Sequence, residues 1–124
     1  MTYDKRSILV IADVNLAFPF KKRQIIPSLL KQIAVNFHVP IITTTNLNRR
    51  PEERYDKKPR LSDLRIKNLG KYADIVSLVY RDELYNACSS ERGFAEIINI
   101  INKEGVTYSL KLKFDSNTAS FENP

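Results

Sequence analysis

One stretch holds most of the side chains in this sequence that could do chemistry. Asn46 to Arg65 reads N-L-N-R-R-P-E-E-R-Y-D-K-K-P-R-L-S-D-L-R. It sets Arg49, Arg50, Arg54, Lys57, Lys58, Arg60 and Arg65 against Glu52, Glu53, Asp56 and Asp63. Guanidinium and ammonium groups at this density suit a row of phosphates, which they meet through charge-assisted hydrogen bonds. Pro51 and Pro59 each remove a backbone donor and fix φ, so no regular helix or strand crosses the middle of the stretch. A long loop inside a compact domain is commonly functional, and a basic loop on a rigid scaffold is a common way to grip a nucleic-acid backbone. A solvated surface loop is the alternative.

The remaining candidates are scattered. Asp13 sits near the carboxyl end of an apolar run, where open α/β sheets bind ligands, and a carboxylate there can hold magnesium. A turn or cap role is the competing expectation. Arg65, Arg81 and Lys103 are candidate cations for phosphate or ATP. His38 follows a helical pattern and reads as a helix-end residue rather than a base. Cys88 is the only cysteine and His38 the only histidine, which argues against a zinc site. The glycines, at 70, 93 and 105, permit neither a G-x-x-x-x-G-K-[ST] phosphate loop nor G-x-G-x-x-G.

The elements that must position these groups follow from hydrophobic periodicity. Ser7 to Val14 is a near-continuous aliphatic run and predicts a strand buried on both faces, as in a parallel sheet. Asn15 to Phe20 is a connector. Lys21 to Phe37 predicts an amphipathic helix with Ile25, Ile26, Leu29, Leu30, Ile33, Ala34 and Phe37 on one side, its regular part starting near Ile26 because of Pro27. Val39 to Thr45 is a second strand, completing a βαβ unit. Leu61 to Tyr72 predicts a short helix capped by Ser62. Ala73 to Tyr80 is a third buried strand. Phe94 to Asn102 and Val106 to Phe114 form an edge hairpin turning at Lys103 to Gly105. The tail from Asp115 reads as irregular. The fold class is α/β: a parallel core of about three strands followed by an antiparallel edge hairpin. Only one helix is available for two sheet faces, so a partner chain or the rest of a larger domain must cover them.

At 124 residues the chain is expected to be a single domain over 1–124 with a real core. The formal net charge of +6 favours an anionic partner, nucleic acid first among them. The lone thiol fits a reducing cytoplasm or organelle interior. No signal peptide and no membrane-spanning run is expected.

Several segments taken together resemble the C-terminal motor domain of DnaB-type replicative helicases. They are V-P-I-I-T-T-T-N-L-N-R-R-P-E-E-R-Y-D-K-K-P-R-L-S-D-L-R (Val39 to Arg65), A-D-I-V-S-L-V-Y-R-D-E-L-Y-N (Ala73 to Asn86), A-E-I-I, K-L-K-F and F-E-N. Order and spacing match from about Ile8 to Asn123, and the Asn48 to Arg65 segment is the most specific part. The resemblance implies a RecA-like fold, hexameric rings, ATP with Mg2+, and translocation on single-stranded DNA. It covers only the second half of that domain, without the half that bears the Walker A phosphate loop. The family's magnesium aspartate falls at Ala12, with Asp13 one position late. The sensor glutamine is replaced by Asn46. The lysine and arginine-finger positions are Ile101 and Lys103, and a lysine lacks the bidentate guanidinium geometry. Arg65 keeps its place before the family's phosphate-gripping stretch, while the Glu and Gly that follow in the family are not kept; Lys67 and Lys71 are the candidates to supply charge there.

The resemblance therefore implies Asp13, Asn46 and Lys103 as remnants of the catalytic set, with Asp13 as the metal position. It implies Arg49, Arg54, Lys57, Lys58, Arg60, Arg65 and Lys67 as DNA contacts. Three readings follow: a helicase part needing a complementary chain with Walker A, a non-enzymatic module that binds single-stranded DNA or helicase subunits, and a degenerate inactive product.

Overall fold

The computed structural model describes residues 7–14, 24–101 and 104–124. They fall into two compact units, one comprising Met1–Arg49 and Leu61–Ala73, the other Arg50–Arg60 and Asp74–Pro124. The expected connector Asn15 to Phe20 and the helix start Lys21 to Arg23 lie outside the described residues.

In the first unit, β1 (Leu9–Ile11) pairs in parallel with β2 (Ile41–Thr43), Leu9 opposite Ile41 and Ile11 opposite Thr43. α1 (Ile26–Phe37) lies between them in sequence, so the βαβ unit is present. β1 is shorter than its aliphatic run because Asp13 adopts φ 52°, a left-handed conformation that cannot continue a strand. Thr44 secures this kink. Its Oγ1 accepts from the Asp13 amide at 2.7 Å, and its carbonyl accepts from the amide of the fully buried Val14 at 2.9 Å.

The expectation that these strands are buried on both faces is corrected. Val10 and Ile42 oppose each other and are 63% and 54% exposed. The described residues contain no second helix long enough to cover that face. α1 begins at Ile26 with Pro27 in its first turn and ends on His38, whose φ of 50° and amide bond to the Ala34 carbonyl make it a left-handed C-cap. Leu29, Ile33 and Phe37 on its apolar stripe are exposed.

α1 packs against α3 (Lys67–Tyr72), and Asn68 Nδ2 donates to the Gln24 carbonyl at 3.1 Å. Val14, Ile26, Val39, Leu64, Ile66 and Leu69 are buried apolar residues among those described in this unit. The predicted Leu61 to Tyr72 helix is broken in two: a 3-10 turn at Leu61–Asp63, then α3. Leu64 forms an isolated antiparallel bridge with Leu47, which takes its backbone out of helix. Ser62 therefore sits inside the turn and caps nothing; Ile66 precedes α3 without a side-chain cap.

The second unit opens with the one-turn α2 (Arg50–Glu53) and contains a four-stranded antiparallel sheet in the order β3 (Ile75–Tyr80), β4 (Phe94–Ile101), β5 (Val106–Asp115), β6 (Ser120–Glu122). The α/β class with parallel and antiparallel parts is as expected, but β3 is not in the parallel core. It runs antiparallel to β4 from Ile75 opposite Ile101 to Tyr80 opposite Glu96. The β4–β5 hairpin turns through Gly105 at φ 64°. The irregular tail is also corrected. Asp115 Oδ1 accepts from the Asn117 amide at 2.9 Å, Ala119 takes φ 51°, and the returning β6 sets Phe121 against Phe114, tilted at 52° with ring centres 5.0 Å apart. Leu78, Ala95 and Asn99 are buried, and Asn99 Oδ1 accepts from Ser77 Oγ at 2.6 Å, which satisfies that buried polar atom.

Candidate nucleic-acid interface

The basic stretch is built in two parts. Its ends belong to the first unit, where backbone bonds draw them together. Leu47 bridges Leu64, the Asn48 amide donates to the Asp63 carbonyl at 2.7 Å, and the Arg65 amide donates to the Asn46 carbonyl at 3.3 Å. Arg65 Nε adds a bond to the Leu47 carbonyl at 3.3 Å. Beneath this neck, Leu64 and Asp63 are 2% and 0% exposed. The neck explains how a long polar segment keeps a defined shape: its hydrogen bonds are sequence-distant and its anchor is buried. Arg49, Arg65 and Lys67 are exposed in this unit, so their cations face solvent while the backbone beneath them is held.

The middle of the stretch belongs to the second unit and is self-contained. Arg54 donates from Nη2 to the Lys58 carbonyl at 2.9 Å. Lys57 Nζ donates to the carbonyls of Glu52 at 2.8 Å and Arg54 at 3.1 Å. Asp56 Oδ1 accepts from the Lys58 amide at 3.0 Å. Lys58 Nζ pairs with Glu96 Oε2 at 3.1 Å and lies 6.0 Å from the Tyr80 ring centre. Pro51 and Pro59 are buried at either end of this turn, and Arg60 is exposed. Of the seven predicted DNA contacts, Arg54, Lys57 and Lys58 thus spend donors on local structure. Arg49, Arg60, Arg65 and Lys67 are exposed, and Arg65 spends only its Nε, on the Leu47 carbonyl.

Next along the chain, residues 81–93 form a network that sequence reading did not resolve. Asp82 accepts from Ser89 Oγ at 2.6 Å and from Tyr80 Oη at 2.7 Å. Those bonds, Ser89's first, hold the Asp82 carboxyl below the usual carboxylate range. Burial first, then the Asp82 bond and charge, push the Tyr80 phenol up to about 12. Arg81 is not an available phosphate cation. Its Nη2 donates to Glu83 Oε1 at 2.6 Å and its guanidinium lies 4.1 Å from the Phe114 ring centre. The Arg81 bond, with a second from the Gly93 amide, holds Glu83 low. In the sequence the only signal for this arrangement is the run of adjacent charges at Arg81, Asp82 and Glu83, which does not reveal the partners. Cys88 is exposed and its amide donates to Asn86 Oδ1.

The predicted catalytic remnants are placed as follows. Asp13 stands just past β1, outside the strand, so strand alternation no longer dictates its side. Asn46 lies beyond β2, exposed, its carbonyl spent on Arg65. Lys103 lies outside the described residues. The Asp13 amide is given to Thr44, and the described residues contain no group of three or more His, Cys, Asp and Glu side chains suited to a metal. Magnesium with a nucleotide needs near-octahedral oxygen ligands and a phosphate cradle. One carboxylate and a threonine hydroxyl already engaged do not fit that requirement by themselves. Among the described residues no helix is long and apolar enough to cross a membrane.

Comparison with known proteins places this geometry. Residues 21–123 match the family model described as the DnaB-like helicase C terminal domain. Over 95 residues the chain is 39% identical to the replicative DNA helicase DnaB of Haemophilus influenzae, covering 76% of this chain and 20% of that protein. Over 93 residues it is 34% identical to a probable plasmid replicative DNA helicase of Chlamydia psittaci, covering 74% of this chain and 20% of that one. A solved ATPase domain superposes with a TM-score of 0.84 at 30% identity, over 94% of this chain and 44% of that one. A DnaB-like replicative helicase, whose structure is described together with its interactions with primase, superposes at 0.83 and 31% identity, over 94% of this chain and 31% of that one. The chain therefore spans about a fifth of the curated relatives' length.

Proposed function

Because this chain belongs to the family of DnaB-like helicase C-terminal domains, we propose that residues 1–124 act as the second half of a replicative helicase motor domain, contributing its single-stranded DNA surface. The observation that carries this reading is the neck at Leu47–Leu64 with Arg65 bonded across it. A basic stretch pinned at its base by backbone bonds and a buried leucine is pre-shaped, so little ordering entropy opposes phosphate binding. Arg49, Arg60, Arg65 and Lys67 would contact phosphates directly. Arg54, Lys57 and Lys58 would act mainly by holding the turn.

In this reading the chain does not hydrolyse ATP alone. The phosphate loop supplies the main nucleotide contacts in such motors, and the sequence has none. Asp13 and Asn46 would complete a nucleotide site only beside a Walker A half, as part of a helicase assembly working in DNA replication inside a reducing cytoplasm or organelle. Bound Mg2+ and ATP would supply the phosphoryl-transfer energy there; the residues of this chain would position DNA. A second reading, a stand-alone single-stranded DNA binder or helicase-ring modulator, is favoured by Asp13 lying outside its strand at φ 52°.

Fluorescence anisotropy of a labelled single-stranded oligonucleotide, with duplex as control, tests the DNA surface. Salt-sensitive binding that prefers the single strand is expected. No binding at low salt by a folded sample refutes it and leaves the degenerate-product reading. Calorimetry with Mg-ATP is expected to give no saturable heat; a saturable heat would refute the need for a Walker A half.

A further inference from the structure

Tyr55 is fully open to solvent, at 105% exposure. A ring in that state buries no apolar surface, so folding draws nothing from it. Other aromatic rings of the same unit are engaged within the fold. Tyr80 stacks on Tyr85 with ring centres 6.0 Å apart and planes 8° from parallel, and its hydroxyl donates to Asp82. Phe114 lies against Phe121 and beside the Arg81 guanidinium, and the Phe94 ring centre lies 5.6 Å from Lys111 Nζ.

The backbone that carries Tyr55 is nonetheless held. Both of its chain neighbours bond to Lys58: Arg54 Nη2 donates to the Lys58 carbonyl at 2.9 Å, and Asp56 Oδ1 accepts from the Lys58 amide at 3.0 Å. Lys57 Nζ closes the turn on the Glu52 and Arg54 carbonyls. Lys58 ties it to the sheet through Glu96, at 3.1 Å. Between Arg50 and Arg60 the chain carries five cations against Glu52, Glu53 and Asp56, and Arg60 is exposed. A held turn that sets a bare ring among cations has the composition of a single-strand site, where charge meets phosphates and unpaired bases stack on aromatic faces. A tyrosine has only two side-chain torsions to fix, so the entropic cost of such a contact is small. Bases in a duplex are already stacked on one another and offer the ring no free face.

We propose that Tyr55 is a base-stacking residue: a nucleobase of an unpaired DNA strand lies on its ring while neighbouring cations hold the backbone. The inference rests on the single-stranded DNA reading above and adds to it a contact with bases rather than phosphates. It also gives that surface a means of preferring single strand over duplex, which charge alone does not supply. Every base has a π-face, so the contact is tolerant of sequence.

The test uses the full chain and anisotropy with three probes: a labelled thymidine oligonucleotide, a strand of the same length carrying abasic sites, and a duplex. Tyr55→Ala should weaken binding to the thymidine strand by about fivefold or more, the lower end of what one base–aromatic stack contributes. Circular dichroism and the urea midpoint should not change. No charge is lost, so the salt slope should keep its wild-type value. Tyr55→Phe should restore wild-type affinity and Tyr55→Leu should not. On the abasic strand and on duplex, wild type and Tyr55→Ala should bind alike. If Tyr55→Ala matches wild type on the thymidine strand, or loses as much affinity on the abasic strand, base stacking is overturned while the single-strand reading stands. A shallower salt slope in Tyr55→Ala would mean that the ring acts by arranging the cations, and that too overturns it. If folded wild type binds no single strand at low salt, the inference and the reading beneath it fall together.

Discussion

Salt dependence can count the cations that meet DNA, and the structure commits to a number. Of seven candidate contacts, Lys57 Nζ sits on two carbonyls, Lys58 Nζ on Glu96, and Arg54 on the Lys58 carbonyl. The other four, Arg49, Arg60, Arg65 and Lys67, are exposed, Arg65 with its Nε given to the Leu47 carbonyl and the rest of its guanidinium in reach of a phosphate. For single strands the slope of log K against log salt is about −0.7 per phosphate neutralised, so four contacts give about −2.8 and seven about −4.9. Between about 50 and 200 mM salt, the first slope weakens binding by about 50-fold and the second by about 900-fold. Anisotropy titrations across that range separate the two. Arg60→Ala and Arg65→Ala should each reduce the slope by about 0.7, while Lys58→Ala should leave it unchanged within error. A slope near −5, or an unaltered slope in both arginine variants, would show that the division between outward and structural cations is wrong.

Other outcomes follow from the packing and charge of each unit. Leu64→Ala removes a nearly fully buried side chain under the neck; a loss of about 2–5 kcal/mol by urea unfolding is expected, together with weaker single-strand binding. Gly105→Ala meets no atom within 4 Å but must hold φ 64°, so it should destabilise by about 1 kcal/mol with no steric component. Asp82 and Glu83 have folded pKa values below their ordinary ones, so their contribution is present above the usual carboxylate range and is lost as pH falls through it. Acid melts of Glu83→Gln should be flatter than wild type. Tyr80 is raised from 10.0 to about 12, so its contribution holds below pH 10 and disappears as pH climbs toward 12. Tyr80→Phe should abolish that alkaline loss.

Periodicity alone located β1, α1, β2 and the β4–β5 hairpin, because aliphatic alternation and the Gly105 turn are local properties of the chain. The specific Asn48 to Arg65 run identified the family without any contact information. Strand partners were not legible. Ile75 to Tyr80 is apolar enough for a parallel core, and only register with β4 makes it antiparallel. The tail looked irregular because three residues carry no periodic signal; β6 exists through Phe121 on Phe114, a contact whose spacing along the sequence is uninformative. Which cations the turn itself uses was also hidden. Lysine 57 and arginine 49 look alike as letters, and what separates them is whether backbone carbonyls come within hydrogen-bond reach once the turn closes. Composition and local pattern are set by covalent neighbours, so the sequence by itself determined the family, the α/β class and the basic stretch. Pairing, exposure and the spending of charge depend on residues brought together across the chain, and only the tertiary structure decided them.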